Sequence, residues 1–309
     1  LKDIKSVYFI GAGGIGMSAL ARYFMHRGVV VAGYDRTPSA LTSQLEKEGM
    51  LIHYEENVDC IPQACRDVAS CLVVYTPAIP STHKELLFFK EHGFDIEKRA
   101  QVLGALTRSH KGLCVAGTHG KTTTSAICAH IMHQSHIDSN AFLGGILKNY
   151  GTNYILSKES DYVVIEADEF DRSFHWLRPW ISVITATDPD HLDIYGTKEA
   201  YLESFRYYTT LIQPGGALII HKDLEMQPNV QEGVRTYEYS LDSGDFHAEN
   251  VRINNGEITF DFVSPIENVK NVELGQPVPI NIGINDFPDK PNLRKIRSMI
   301  KATRAIYPQ

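Results

Sequence analysis

Short runs of β-branched and aromatic residues recur along the chain. Each is followed by a turn and then by a stretch with helical spacing of its apolar positions. SVYFI (6–10) leads into GAGGIGMSALARYFMHRG (11–28), and VVVAGYD (29–35) follows. CLVVYTP (71–77) and FDIEKR (94–99) repeat the pattern, with helical stretches near 39–49 and 83–92. Short apolar runs bounded by turn residues predict strands, and the helices between them predict crossovers in a parallel sheet. Residues 1–108 therefore read as one alternating α/β domain.

The alternation continues. GLCVAG (112–117) predicts a buried strand, THG a turn, and KTTTSAICAHIMHQS (121–135) a helix. YVVI (162–165) and ISVITAT (181–187) predict two more strands, and EAYLESFRYYTTLI (199–212) a helix. The turn PGG leads into a strand at ALIIH (217–221). TYEYSL, DFHAENVRI, EITFDFV and PVPINI then read as short β segments with polar turns. Residues 109–283 thus form a second α/β domain.

The length of 309 residues suits two domains with room for part of a third. With 43% hydrophobic and 22% charged residues the composition is that of a globular protein. The net charge of −7 provides no basic field, so no nucleic-acid partner is expected. No apolar run reaches the roughly 18 residues that span a bilayer, and no signal-peptide pattern follows Leu1. Cys60, Cys65, Cys71, Cys114 and Cys128 are odd in number and lack paired C-x-x-C spacing. Unpaired thiols in a cytoplasmic protein are expected.

Two glycine-rich turns carry candidate chemistry. Gly11, Gly13 and Gly16 fit G-x-G-x-x-G between a strand and a helix, and Asp35 lies 19 positions after Gly16 at the end of the second strand. This is the Rossmann-like fingerprint for a dinucleotide, in which the acid meets a ribose hydroxyl. A turn-forming aspartate is the lesser alternative. The second turn, Val115-Ala-Gly-Thr-His-Gly-Lys-Thr-Thr-Thr124, resembles a phosphate loop, but Gly117 precedes Gly120 by only three residues. Amides from Gly117 to Lys121 can cradle phosphate, Lys121 supplies a point charge, and the Thr122 hydroxyl can face Mg²⁺. Two later strands end in acids. YVVI is followed by Glu166, Asp168, Glu169 and Asp171, of which Glu166 is the expected metal ligand. ISVITAT is followed by Asp188, Asp190, His191 and Asp193, with His191 a candidate second metal or phosphate contact.

GTHGKTTT, EADEFD and DPDHLD, preceded by GAGGIGMSALA, resemble the Mur ligases, the ATP-dependent amide-forming enzymes of peptidoglycan synthesis. The shortened loop G-T-x-G-K-T-[TS] is the form that family uses. The resemblance covers about residues 5–282, and its motifs stand in the family's order. LGGILKNYGTN (143–153) and EADEFDRSFHWLRP are closest to the branch that acts on UDP-N-acetylmuramate and L-alanine, with the muropeptide-recycling branch its nearest sibling. The resemblance implies a Rossmann-like amino-terminal domain, a P-loop-type ATP-binding central α/β domain, and a third α/β domain beginning at 284–309. ATP and Mg²⁺ are the implied cofactors. ATP would phosphorylate the lactyl carboxylate, and the amine of L-alanine would displace phosphate from the acyl phosphate.

By the same resemblance, Lys121, Glu166 and His191 are the catalytic set. Lys121 contacts the β- and γ-phosphates, Thr122 and Glu166 hold one Mg²⁺, and His191 holds a second. Gly117, Thr118, His119, Gly120, Lys121, Thr122 and Thr123 form the nucleotide loop. Gly11, Gly13, Gly14, Gly16 and Asp35 bind the UDP portion, and Gly144, Gly145 and Asn153 lie near the sugar. A monomer or dimer is expected.

Two departures stand out. The family commonly has asparagine where Ala186 stands, and NDFPDKP (285–291) is a loose version of the third domain's opening motif. Only the start of that domain is present, so these residues are expected to bind the UDP-sugar without completing ligation. An NAD(P)-dependent oxidoreductase explains Gly11, Gly13, Gly16 and Asp35 but not GTHGKTTT or Glu166. A non-catalytic nucleotide-binding scaffold is the other alternative. Calorimetric titration separates these readings: UDP-N-acetylmuramate is expected to bind and NADH is not, and binding of NADH alone would turn the assignment to an oxidoreductase.

Overall fold

The computed structural model describes residues 4–254 and 257–274. The expected strand at 277–282 and the segment 284–309 lie outside them. The chain divides into two compact units, Leu1–Ala105 and Leu106–Gln309.

The first unit contains β1 (Ser6–Ile10), α1 (Ile15–His26), β2 (Val30–Tyr34), α2 (Ala40–Lys47), β3 (Leu51–His53), β4 (Cys71–Tyr75), α3 (Lys84–Glu91), β5 (Asp95–Lys98) and the first part of α4 (Arg99–Ser109). Its five strands lie in the order β3-β2-β1-β4-β5, every neighbouring pair parallel. The chain winds outward from β1 to both sides, so the strand order reverses between β1 and β4. The Gly11 turn leaves β1 at that switch point, where ligands of such sheets bind. One face of the sheet packs Tyr8, Ile10, Tyr34 and Val73 against Leu86, Phe89 and Phe94. Ser39 caps α2 through a reciprocal capping box with Thr42. β3 escaped the sequence pattern because it has three residues and none is fully buried.

The second unit holds β6 (Lys111–Ala116), α5 (Lys121–Gln134), β7 (Asn140–Leu147), β8 (Thr152–Ile155), β9 (Tyr162–Glu166), β10 (Pro179–Ile184), α6 (Leu192–Tyr195), α7 (Lys198–Thr209), β11 (Ala217–His221) and β12 (Arg235–Tyr239). They form a seven-stranded sheet in the order β12-β11-β10-β6-β9-β7-β8. All its pairs are parallel except β7 with β8. β6 sits between β9 and β10, so the loop after β6 is flanked by the ends of both. Leu113, Val115, Val164, Val183 and Ile219 pack with Ala126, Ala129 and Met132 of α5. β13 (His247–Asn254), β14 (Glu257–Val263) and β15 (Val269–Leu274) form a separate antiparallel sheet. Its Phe260 and Phe262 join the same core.

Sequence reading missed β7 and β8. In β7 the adjacent Gly144 and Gly145 break the apolar alternation, and β8 is four residues with two polar side chains. His191 was expected at a strand end, but β10 stops at Ile184, and His191 instead precedes α6 with a left-handed φ of 54°. The intervening residues, Thr185 to Asp190, carry the chain across the phosphate loop.

Gly33 in β2 permits the close pairing of β1 and β2, because a Cβ there would overlap the Phe9 carbonyl of the neighbouring strand. Gly33→Ala is expected to cost about 1–3 kcal/mol through that overpacking. Urea denaturation followed by near-ultraviolet circular dichroism measures it, and an unchanged midpoint would refute the steric account.

Candidate functional site

In the second unit the turn after β6 folds as a phosphate loop. Gly117 has φ 131° and Gly120 has φ 84°, both in the left-handed region where a side chain is strained. A Cβ on Gly117 would also overlap Thr185 and the Ala186 backbone. Thr185 ties the loop down: its hydroxyl donates to the His119 carbonyl at 2.5 Å and lies 3.1 Å from the Ala116 carbonyl. Thr118 binds the same segment from the loop side. Its amide donates to the Ala186 carbonyl at 3.0 Å, and its hydroxyl donates to the Asp188 carbonyl at 2.7 Å and lies 2.8 Å from the Tyr201 hydroxyl. Ala186 thus serves through its backbone.

Gly120 caps α5 without a side-chain hydrogen bond. The first-turn amides, at Lys121, Thr122 and Thr123, have no acceptor within the helix and point beyond its end. Together with the helix dipole they favour an anion. Lys121 bends back over the loop. Its ammonium donates to the Gly117 carbonyl at 2.8 Å and to Glu169 Oε1 at 2.9 Å, with Glu169 Oε2 at 2.8 Å. Glu169 is only 1% exposed. Its carbonyl accepts from the Tyr195 hydroxyl at 2.5 Å and from the Arg172 amide at 3.0 Å. Asp171 and Arg172 adopt left-handed φ values of 51° and 55°, and the Arg172 guanidinium lies 4.7 Å over the Tyr195 ring.

Glu166, the last residue of β9, reaches the same place. Its Oε1 accepts from the Thr122 hydroxyl at 2.8 Å and its Oε2 from the Gly144 amide at 2.9 Å. Burial pushes this carboxyl above the usual range, opposed by the Thr122 and Gly144 hydrogen bonds and the nearby Lys121 charge. A side chain on Gly144 would collide with the carboxylate. Gly145 follows it in β7, and Asn153 is buried in β8.

The structure therefore brings Lys121, Thr122, Glu166 and Gly144 together. It does not join His191 to Thr122 or Glu166 by any hydrogen bond or ion pair among the described residues. The His191 ring lies 3.8 Å from Asp190 and edge-on to Phe170 at 5.3 Å. Among the described residues no group of three or more His, Cys, Asp or Glu side chains could hold a metal by itself. Glu169 is the functional candidate that sequence reading passed over. Its signal was present: it is the second glutamate of EADE, three residues after the one chosen.

ATP and Mg²⁺ fit these residues. A hydroxyl and a carboxylate 2.8 Å apart offer the hard oxygens Mg²⁺ prefers. The open amides and the Lys121 ammonium offer donors to phosphate oxygens.

In the first unit the glycine turn is closed by its own acid. The Gly11 and Ala12 amides donate to the Tyr34 carbonyl at 2.8 and 3.0 Å, with Gly11 at φ 91°. The Gly13 amide donates to Asp35 Oδ2 at 2.6 Å, and the Thr37 amide to Asp35 Oδ1 at 3.1 Å. Asp35 is thus a turn former that also fastens the glycine turn. Gly14 caps α1, and Gly16 leaves room for the Arg99 guanidinium.

A parallel sheet carrying this loop, with a strand-end glutamate on its first helical threonine, defines a nucleotide-binding α/β protein. The chain belongs to the Mur ligase family: residues 6–111 match the model for the Mur ligase family catalytic domain, and residues 115–282 that for the Mur ligase middle domain. It is 70% identical over 282 residues to the UDP-N-acetylmuramate–L-alanine ligase of Phocaeicola vulgatus, covering 91% of this chain and 62% of that protein. It is 60% identical over 283 residues to the corresponding ligase of Parabacteroides distasonis, covering 91% and 61%. The chain thus spans about three fifths of the length of these relatives. The crystal structure of UDP-N-acetylmuramate-alanine ligase from Thermotoga maritima superposes with TM-score 0.75 at 25% identity, over 97% of this chain and 65% of that one. The UDP-N-acetylmuramate:L-alanyl-gamma-D-glutamyl-meso-diaminopimelate ligase from Neisseria meningitides shares the fold, with TM-score 0.76 at 21% identity over 98% of this chain and 94% of that one. Among the described residues no helix is long and apolar enough to cross a membrane.

Thr185 tests the loop clamp. Thr185→Val keeps the shape and removes the donor, leaving the His119 carbonyl unsatisfied at a cost of about 1–3 kcal/mol. A lower melting temperature with weaker ADP binding is expected, and unchanged ADP affinity would show that the clamp does not set the loop.

Proposed function

We propose that the protein is a UDP-N-acetylmuramate–L-alanine ligase acting in the cytoplasm on peptidoglycan precursors. The observation that carries this reading is the paired arrangement at the start of α5. Lys121 is held by Glu169, and the Thr122 hydroxyl by Glu166, beside amides open to phosphate. The 70% identity to a protein of that name supports the choice of substrates.

In this reading ATP is a substrate. Its γ-phosphoryl group passes to the lactyl carboxylate, releasing ADP. The amine of L-alanine then attacks the acyl carbon, phosphate leaves with the C–O electron pair, and the amine loses a proton as the amide forms. The chain's own residues hold the anions in place. The loop amides from Gly117 to Lys121 and the helix start take phosphate oxygens, with Thr118, His119 and Thr123 shaping the loop. Lys121 offsets charge on the transferring group, an effect of the kind that contributes about 10²–10³-fold when one such donor is removed. Thr122 and Glu166 would hold Mg²⁺, which when bound screens phosphate charge from the carboxylate. His191, whose neighbours in the fold are Asp190 and Phe170, would hold a second Mg²⁺. The glycine turn at Gly11, Gly13, Gly14 and Gly16, fastened by Asp35, takes the UDP part. Gly144, Gly145 and Asn153 face the sugar.

The test is ADP release by the full-length gene product, which is expected to require both UDP-N-acetylmuramate and L-alanine. Release with the sugar nucleotide omitted would overturn the reading. Lys121→Met is expected to lower turnover about 10²–10³-fold and, by stranding the buried Glu169 charge, to destabilise the fold by about 3–5 kcal/mol. Adding Glu169→Gln should restore much of the melting temperature and none of the turnover.

A further inference from the structure

The first unit contains a chain of three titratable groups outside the site described above. Tyr8 on β1 lies buried with its hydroxyl 2.7 Å from Glu85 Oε2 and 2.6 Å from His53 Nε2. Glu85, in the first turn of α3, is fully buried, and its Oε1 accepts from the Asn57 amide at 3.1 Å. His53, at the end of β3, has its Nδ1 2.8 Å from the Glu55 carbonyl.

Counting protons fixes the states available. A carbonyl oxygen only accepts, so His53 Nδ1 carries a hydrogen. The Tyr8 hydroxyl has one hydrogen and two polar neighbours. If His53 is neutral, its Nε2 is an acceptor and Tyr8 donates to it. Glu85 must then donate to the phenol oxygen, and so must be protonated. If Tyr8 instead donates to a Glu85 carboxylate, His53 Nε2 must donate and the ring is a cation. Both arrangements satisfy every bond, and both hold the same number of protons. With that proton removed, Glu85 takes the Tyr8 hydrogen, and the Nε2 lone pair faces the phenol oxygen at 2.6 Å with nothing between them.

We propose that Glu85, Tyr8 and His53 store one shared proton on Glu85, as a neutral chain, and that releasing it loosens the end of β3 that supports the glycine turn. The neighbours favour the neutral form. Burial pushes the Glu85 carboxyl up to about 7, opposed by its bonds from Tyr8 and Asn57 and reinforced by Glu56. Burial pushes the His53 imidazole down, opposed by the carbonyl and the charge of Glu55, and pushes the Tyr8 phenol up. The other groups facing the chain are Tyr34 on β2, with rings 5.7 Å from His53, and His83 ahead of α3, with rings 4.7 Å from Tyr34. Cys60 and Cys65 act on Tyr8. Glu56 accepts from the Lys84 amide at 2.7 Å. His83 is itself buried with neither ring nitrogen hydrogen-bonded, and burial pushes its imidazole down, opposed by Glu56. The group within ion-pair reach of Glu85 among the described residues is His53, with Nε2 3.6 Å from Oε1, and burial pushes its imidazole toward the neutral form.

The link to the turn is short. The His53 carbonyl accepts from the Asp35 amide at 3.1 Å, and Asp35 Oδ2 accepts from the Gly13 amide. Because the folded carboxyl titrates above its unfolded value of 4.5, its stabilising contribution is complete below about 4.5. It is lost as the pH rises to about 7.

Nitrogen-15 NMR of His53 in the whole chain at about pH 6, below the Glu85 midpoint, is expected to show a neutral ring protonated at Nδ1. A doubly protonated ring, or a neutral ring protonated at Nε2, overturns the proposal. Glu85→Gln supplies an amide N–H where the neutral chain needs a donor and keeps the acceptor for Asn57. It is expected to melt no lower than wild type at about pH 6, and higher at about pH 9, above the same midpoint. A lower melting temperature at the acidic pH would count against the neutral chain. The Gly13 amide shift should titrate with the Glu85 midpoint in the wild type and stay flat in Glu85→Gln. A Gly13 shift flat in both would break the proposed link to the turn.

Discussion

The second unit is organised around one electrostatic problem, the storage of a lysine ammonium beside amides that already carry positive partial charge. Lys121 stands at the head of α5, where the helix dipole and the unpaired first-turn N–H groups repel a cation. A phosphate would resolve the conflict. In the fold itself the resolution is Glu169, almost fully buried, with both carboxylate oxygens within 2.9 Å of the ammonium. Holding Glu169 there requires an unusual backbone. Asp171 and Arg172 are consecutive left-handed residues, each costing on the order of 1 kcal/mol. The Tyr195 hydroxyl, the Arg172 amide and the stacking of Arg172 on Tyr195 hold the turn in that shape.

Sheet order explains why the remaining groups arrive together. Parallel strands end at one edge, and β6 lies between β9 and β10. The loop after β6 is therefore met by Glu166 from β9 on one side and by Thr185, just past β10, on the other. Gly144 in β7 then approaches Glu166 closely enough to donate its amide, an approach that only glycine allows. No long-range folding is needed beyond the sheet itself to assemble these residues.

The sequence displayed the loop, the two acid-ended strands and the alternation of both units, because each rests on local spacing. Gly117, Gly120, Lys121 and Thr122 occupy the strand-to-helix turn that their order implied. What stayed hidden depends on pairing across the sheet. Nothing in EADE says which glutamate meets the hydroxyl and which meets the lysine; β9 ends at Glu166, and the strained turn carries Glu169 to Lys121. The partners of Asp35 were equally invisible, since its two oxygens bond to amides on both sides of β2. His191 looked like a strand-end ligand because apolar ISVITAT runs on past Ile184, where the strand pairing with Ala116 at the end of β6 is the last register position and the chain turns to clamp the loop.

Glu85 and Glu166 show how the same burial leads to different chemistry. Both are carboxyls pushed upward by loss of water. Glu166 has the Lys121 charge nearby and a hydroxyl and an amide donating to it. Each of these donors and the Lys121 charge favours the carboxylate, and a divalent ion would favour it further. Glu85 has one amide, a phenol that can turn its hydrogen either way, the Glu56 charge nearby, and a His53 ring 3.6 Å away that burial disfavours charging. With His53 pushed toward its neutral form, the positive partner left for Glu85 is a proton, and the geometry of Tyr8 and His53 gives that proton a complete set of hydrogen bonds. Burial alone therefore does not decide whether a glutamate becomes a metal ligand or a proton store; the sign of the charge that the fold places next to it does.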